Sequence, residues 1–201
     1  MKRLLFVFMA LGFVWACGGS FKPDYKVTDA SHKKPPSWIQ QNNAHKSDSE
    51  GSVRDYRYFI SDARSVDKRL CLKSAEARAT QKIASEIAQH IMAMYEEETM
   101  SADSNVSRRM RDSLEQSVQV NLHGVKVTAT YWEKRSYRRE MGAPEDKVAY
   151  KCDVAVRISR SVLIEALETY RKRTMAQLDA DSRRAMDRAV SETIREIKDY
   201  E

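Results

Sequence analysis

The chain has 201 residues, 42% hydrophobic and 32% charged, which supports one modest core with extensions and excludes two large domains. Mean hydropathy is −0.64, and no internal apolar run reaches the roughly 20 residues a membrane span needs. The formal net charge of +6 comes from 35 basic residues interspersed with 29 acidic ones, which reads as a solvated surface and argues against a nucleic-acid footprint.

The first segment carries the clearest signal. Lys2 and Arg3 precede an apolar run, Leu4 to Phe13, whose length suits a secretory signal peptide over residues 1–16. Val14–Trp15–Ala16–Cys17 resembles the lipobox of bacterial lipoproteins: aliphatic at −3, small at −1, then Cys. Trp15 is large for its place. The resemblance implies cleavage before Cys17, a lipid thioether on its sulfur and acylation of the new N-terminus. Gly18, where Asp would retain the protein at the inner membrane, implies delivery to the periplasmic face of the outer membrane. Several acyl chains anchor stably, since each buried methylene contributes about 0.8 kcal/mol. In such an oxidising compartment Cys71 and Cys152 are either a structural disulfide or two buried thiols.

Residues 17–35 read as the lipidated Cys and a polar tether, with an r.m.s. span of roughly 20–25 Å. Pro35–Pro36 imposes extended geometry and holds Trp38 and Ile39 for docking over a core. Residues 40–55 read as a loop. Tyr56, Tyr58 and Ile60 alternate with Arg57, Phe59 and Ser61, which predicts a strand over 56–63. A long helix follows, with Ser74 as N-cap. Its stripe runs through Ala75, Ala79, Ile83, Ile87, Ile91 and Tyr95, widened by Ala84, Ala88 and Met92.

A second helix is expected over 103–122, capped by Asp103, with a thin stripe of Val106, Met110, Leu114 and Val118. Val125, Val127, Ala129 and Tyr131 should then share one face of a strand. Val148, Tyr150, Cys152, Val154, Val156 and Ile158 should share one face of the next, across a turn at Gly142–Asp146. From Arg160 the tail is helical. One stripe holds Leu163, Leu167 and Tyr170. Another, after a break at Asp179–Ser182, holds Met186, Val190, Ile194 and Ile197. This last helix is expected to contact another subunit, to pack back across the domain, or to stay a solvated amphipathic helix that frays.

The expected class is α+β: a long helix and a second helix packed on a small antiparallel three-stranded sheet. The domain would span 36–165, with a C-terminal helical extension over 166–201.

These elements in this order resemble the outer-membrane lipoprotein family named after the twenty-kilodalton Lpp lipoprotein, which includes the FlgP-like flagellar lipoproteins. The resemblance is carried by Cys17, by Pro36–Ser37–Trp38–Ile39, by the Tyr-rich strand at Tyr56–Ile60 and by the alanine-spaced helix from Ala75 to Ala88. It is completed by Gly124–Val127 with Tyr131–Trp132 and by Tyr150–Val156. It covers roughly residues 36–165. It implies a structural component of an envelope complex, such as a flagellum-associated ring or disk, without enzymatic activity. The alternative expectation is a periplasmic regulator of a cell-wall synthase or other envelope enzyme.

No chemistry-bearing motif competes with that reading. His32, His45, His90 and His123 lack metal or triad spacing, and the chain has no HExxH, no GxSxG and no phosphate loop. No catalytic residue, metal, cofactor beyond the lipid on Cys17, small-molecule substrate or nucleic acid is expected. The expected partners are the outer membrane, through the acyl chains, and further copies or other envelope proteins. Arg108, Arg109, Arg111, Arg138 and Arg139 offer a third expectation, direct binding to anionic lipid or wall polymer.

Overall fold

A computed structural model describes residues 22–49, 51–99, 104–174 and 178–199. Cys17, the leader over 1–16 and the expected Asp103 cap lie outside these residues. Four strands form one antiparallel sheet: β1 (Tyr25–Ala30), β2 (Tyr56–Ser65), β3 (Lys126–Tyr137) and β4 (Lys147–Ser159), in the order β1-β3-β4-β2. Five helices accompany them among the described residues: α1 (Ser37–Gln40), α2 (Lys68–Thr99), α3 (Ser104–Asn121), α4 (Arg160–Thr174) and α5 (Ala180–Lys198).

The expectation of three strands is therefore corrected to four. The extra strand, β1, lies within the stretch expected to be tether. Its four middle residues are exposed, so it shows no hydrophobic alternation. What orders it is backbone pairing with β3, from Tyr25 opposite Tyr137 to Ala30 opposite Glu133. Edge strands of this kind are held by hydrogen bonds more than by burial, and pattern reading misses them.

A second correction concerns facing. The register of β3 against β4 shifts between Val127 and Ala129, a β-bulge. The extra residue reverses the alternation. Val127 packs into the large helix-side core, whereas Ala129 and Tyr131 pack on the opposite face. Trp132, expected opposite Val127, is on Val127's side.

Helix α2 starts six residues before the expected Ser74. Asp67 caps it, its Oδ1 accepting from the Leu70 N–H at 2.8 Å. The predicted stripe is the buried one: Ala75, Ala79, Ile83, Ala84, Ile87, Ala88, Ile91, Met92 and Tyr95, preceded by Cys71. Thirty-two residues at about 1.5 Å each make a rod of about 48 Å, while ten-residue β2 spans about 33 Å. The overhang is enclosed by the other helices. α2 touches α3 and α5, and α4 touches both of these, which closes a four-helix ring. Met110, Leu114 and Val118 of α3 and Leu163, Leu167 and Tyr170 of α4 fill its interior.

The last helix packs back across the domain. Asp179 caps α5, accepting from the backbone N–H groups of Asp181 and Ser182. Those bonds hold its carboxyl below the usual range. Met186, Val190, Ile194 and Ile197 are all buried in the same core as α2. Arg160 opens α4 and fastens both ends of this arrangement, donating to Val53 O at 2.8 Å and to Ile197 O at 3.2 Å. Among the described residues no helix is long and apolar enough to cross a membrane.

Cys71 and Cys152 are joined, with an S–S distance of 2.03 Å across 81 residues of sequence. The bond ties the first turn of α2 to the central strand β4, and both residues are fully buried.

Candidate functional site

The sheet face away from the long helices holds the densest group of buried polar side chains. Alternation aims one set of residues at it: Tyr58 and Ile60 from β2, Ala129, Tyr131, Glu133 and Arg135 from β3, and Lys151, Asp153, Ala155 and Arg157 from β4. Helix α1 covers the middle. Pro36 is its N-cap, and Pro36 O accepts from the N–H groups of Ile39 and Gln40 at 3.1 and 3.2 Å. This turn seats Trp38 against Tyr131 and Ala155, with Ile39 partly buried beside it. The opening motif Pro36–Trp38–Ile39 thus forms a lid over the second face.

One polar group lies beside that lid. Asp48 pairs with Arg157, and both side chains are largely buried. Asp48 also accepts from the Tyr58 hydroxyl at 3.1 Å and from the Gly51 N–H at 3.1 Å. Burial first, then Asp48, pushes the Tyr58 phenol up. The Arg157 guanidinium sits 4.5 Å from the Tyr56 ring centroid. A Cβ on Gly51 would overlap Tyr58 Oη and Asp48 Oδ2, so glycine is required for this close approach. His45 stands edge-on to Tyr58 with centroids 5.0 Å apart, and its Nε2 lies 3.3 Å from Gly51 O.

A second group lies on the other side of the lid. Glu133 accepts from the Tyr131 hydroxyl at 3.1 Å and from Arg135 Nε at 2.5 Å, and all three residues are buried. Arg135 stacks 4.0 Å from the Tyr25 ring centroid, so β1 is fastened by its aromatic as well as its backbone. Lys151 pairs with Asp153, which lies opposite Tyr131 on β3 and Asp62 on β2. Burial pushes the Asp153 carboxyl up, against the pull of Lys151, and its Oδ2 has no hydrogen-bond partner among the described residues.

Tyr131 is pushed up to about 12, chiefly by burial and then by Glu133, so it stays a proton donor at neutral pH. Glu133 and Asp48 each face a guanidinium. Among the described residues no three His, Cys, Asp or Glu side chains converge as a metal site.

The arginines singled out in the sequence are not brought together. Arg108, Arg109 and Arg111 lie on α3, with Arg111 3.5 Å from Glu96. Arg138 and Arg139 lie in the β3–β4 turn, with Arg138 3.6 Å from Asp146. α3 leads into the start of β3 and that turn follows its end, so the two groups occupy opposite ends of the sheet. The histidines are dispersed: His32 stacks on Tyr131, His90 meets Glu196 at 2.7 Å, and His123 is exposed.

Sequence reading missed Asp48, Gly51, Glu133, Arg135 and Asp153. A signal was present for the β3 members. Tyr131–x–Glu133–x–Arg135–x–Tyr137 continues a period of two beyond Trp132, which marks a strand whose second face is polar and aromatic. Asp48 had none, because its ion-pair partner Arg157 lies 109 residues further along the chain. No protein-family model matches this chain, and no curated protein matches it significantly.

Proposed function

We propose that this chain is a non-catalytic lipoprotein, anchored to the outer membrane by acyl chains on Cys17. We further propose that it serves as a structural or assembly component of an envelope complex, of the kind FlgP-like flagellar lipoproteins form. The observation that carries this reading is the ordered series at the start: Lys2–Arg3, the apolar run to Phe13, then Val14–Trp15–Ala16–Cys17.

Three further observations support it. The bonded pair Cys71–Cys152 suits an oxidising compartment. The buried acids Glu133, Asp153 and Asp48 of the second sheet face each pair with a cation, Arg135, Lys151 and Arg157 respectively. The last helix is built into the core, so neighbours would meet a rigid body.

Metabolic labelling with palmitate tests the anchor. Wild-type protein should carry label and sediment with outer membranes, and Cys17→Ser should lose both properties. Unlabelled, soluble wild-type protein would overturn the anchor. Mass photometry in detergent tests assembly, and a strictly monomeric profile at high concentration would count against it.

A further inference from the structure

We propose that one end of the domain, built from the β3–β4 turn and the β2–α2 turn, rests on the phospholipid surface. The inference depends on the anchor at Cys17 put forward above and states which surface that anchor turns toward the bilayer.

Chain length limits the geometry first. Tyr25, the first residue of β1, follows Cys17 by eight positions, so by any path the two lie within roughly 30 Å. Helix α2 alone is longer than that. Tyr25 pairs with Tyr137 at the end of β3, and Asp24 O accepts from the Arg138 N–H at 3.3 Å. The chain from the lipid therefore enters the fold beside the β3–β4 turn. Ser65 lies opposite Tyr150, which places the β2–α2 turn at this same end of the sheet.

That end is also where exposed apolar side chains gather. Eight large hydrophobic residues are notably exposed among the described ones, and five of them are here. They are Val27 on β1, Val66 and Leu70 around the β2–α2 turn, Met141 in the β3–β4 turn and Val148 at the start of β4. Gly142, with φ of +98°, closes the turn that carries Met141 outward. Such a gathering on a folded surface marks a docking face.

Its composition suits the headgroup layer. Residues 22–26, 66–70 and 138–148 hold seven basic side chains against five acidic, so net charge contributes little. Half-buried Trp132 and Tyr150 meet with centroids 5.8 Å apart, and Lys68 Nζ lies 4.5 Å from the Trp132 centroid. Trp, Tyr and Lys are residue types that the membrane interface favours. A face held within the tether's reach of the bilayer also meets it at high effective concentration, an advantage no free protein partner shares.

Two exposed valines provide a matched test. Val66 is 81% exposed at this end. Val120 is 77% exposed near the end of α3, which leads to the opposite end of the sheet. With Cys17 acylated and Cys71–Cys152 bonded, Val66→Cys or Val120→Cys adds a single reactive thiol for an environment-sensitive fluorophore. Each lipidated full-length variant is placed in vesicles of phosphatidylethanolamine and phosphatidylglycerol that contain nitroxide-headgroup lipid. The label at position 66 should be quenched several-fold more than that at 120, with little change on adding salt. Equal quenching on vesicles that carry the protein would overturn the orientation while leaving the anchor intact. Unquenched label at 66, together with disulfide crosslinking between copies of the unlabelled Val66→Cys variant under oxidation by Cu(II)-phenanthroline, would assign the face to protein and also overturn it. Failure of wild-type protein to float with the vesicles would remove the anchor, and this inference with it.

Discussion

Helix α2 is one continuous element with two neighbourhoods. Over the sheet its buried column is one residue wide and small: Cys71, Ala75 and Ala79 at every fourth position. Further along the helix the column doubles to Ile83 with Ala84, Ile87 with Ala88 and Ile91 with Met92, ending at Tyr95. A sheet offers one broad surface, and small side chains let the helix approach it closely. A helix ring surrounds α2 from two sides, so two columns must be apolar and must carry bulk. The width of an apolar stripe therefore records how many neighbours a helix has, and the side-chain size records how near they come.

The largest expected effect falls on the sheet half. Replacing Cys152 with Ala, or reducing the disulfide, should cost about 2–5 kcal/mol, because the bond closes a long loop between α2 and β4. A shift of the urea midpoint with and without reductant measures it. An unchanged midpoint would mean that packing alone holds the first turn of α2.

In the bundle half, Ile91→Ala should cost about 2–5 kcal/mol by opening a cavity at a fully buried position. Hydrogen exchange sharpens the comparison. Protection should fall in α5 and the second half of α2 more than in β3 and β4. A uniform fall would merge the two halves into one cooperative unit. The reverse change over the sheet, Ala79→Leu, should cost about 1–3 kcal/mol through overpacking, read from the same denaturation curves.

The second face of the sheet gives smaller effects. Gly51→Ala should cost roughly 1–2 kcal/mol, since its methyl would displace Tyr58 and Asp48 from Arg157. A shift in thermal midpoint checks this, and an unshifted one would show that the loop yields freely.

Asp153→Asn should be the mildest and opposite in sign, with a gain of about 1 kcal/mol or less at neutral pH. Burial raises the Asp153 carboxyl above its ordinary 3.8. The stability linked to this site is thus full below 3.8 and lost as pH rises through the raised value. Asparagine does not titrate, so the advantage of the variant should shrink toward acid. A destabilised variant at neutral pH would show that the Lys151 pairing outweighs burial.

Legibility followed the range of the forces. The α2 stripe, the α5 stripe and the core face of β4 were readable because each is a local period against one large core. The start of α2 was misplaced because one carboxylate, Asp67, overrides a good candidate at Ser74. β1 and the β3 bulge were not readable, since strand pairing and register are properties of two segments together. The same holds for Asp48 with Arg157, which are 109 residues apart in the chain.

By itself, the sequence determined the mixed α+β class and which faces of α2, α4, α5 and β4 are apolar. Signals of that kind are carried by consecutive residues, through charge, hydrophobic period and turn chemistry. Only the tertiary structure decided that the sheet has four strands, that a bulge turns Tyr131 away from the helices and that the tail closes a bundle around α2. It also decided that exposed apolar residues from three separate segments lie at one end of the sheet. Those outcomes depend on which surfaces meet, and each requires partners that the chain brings together only when it folds.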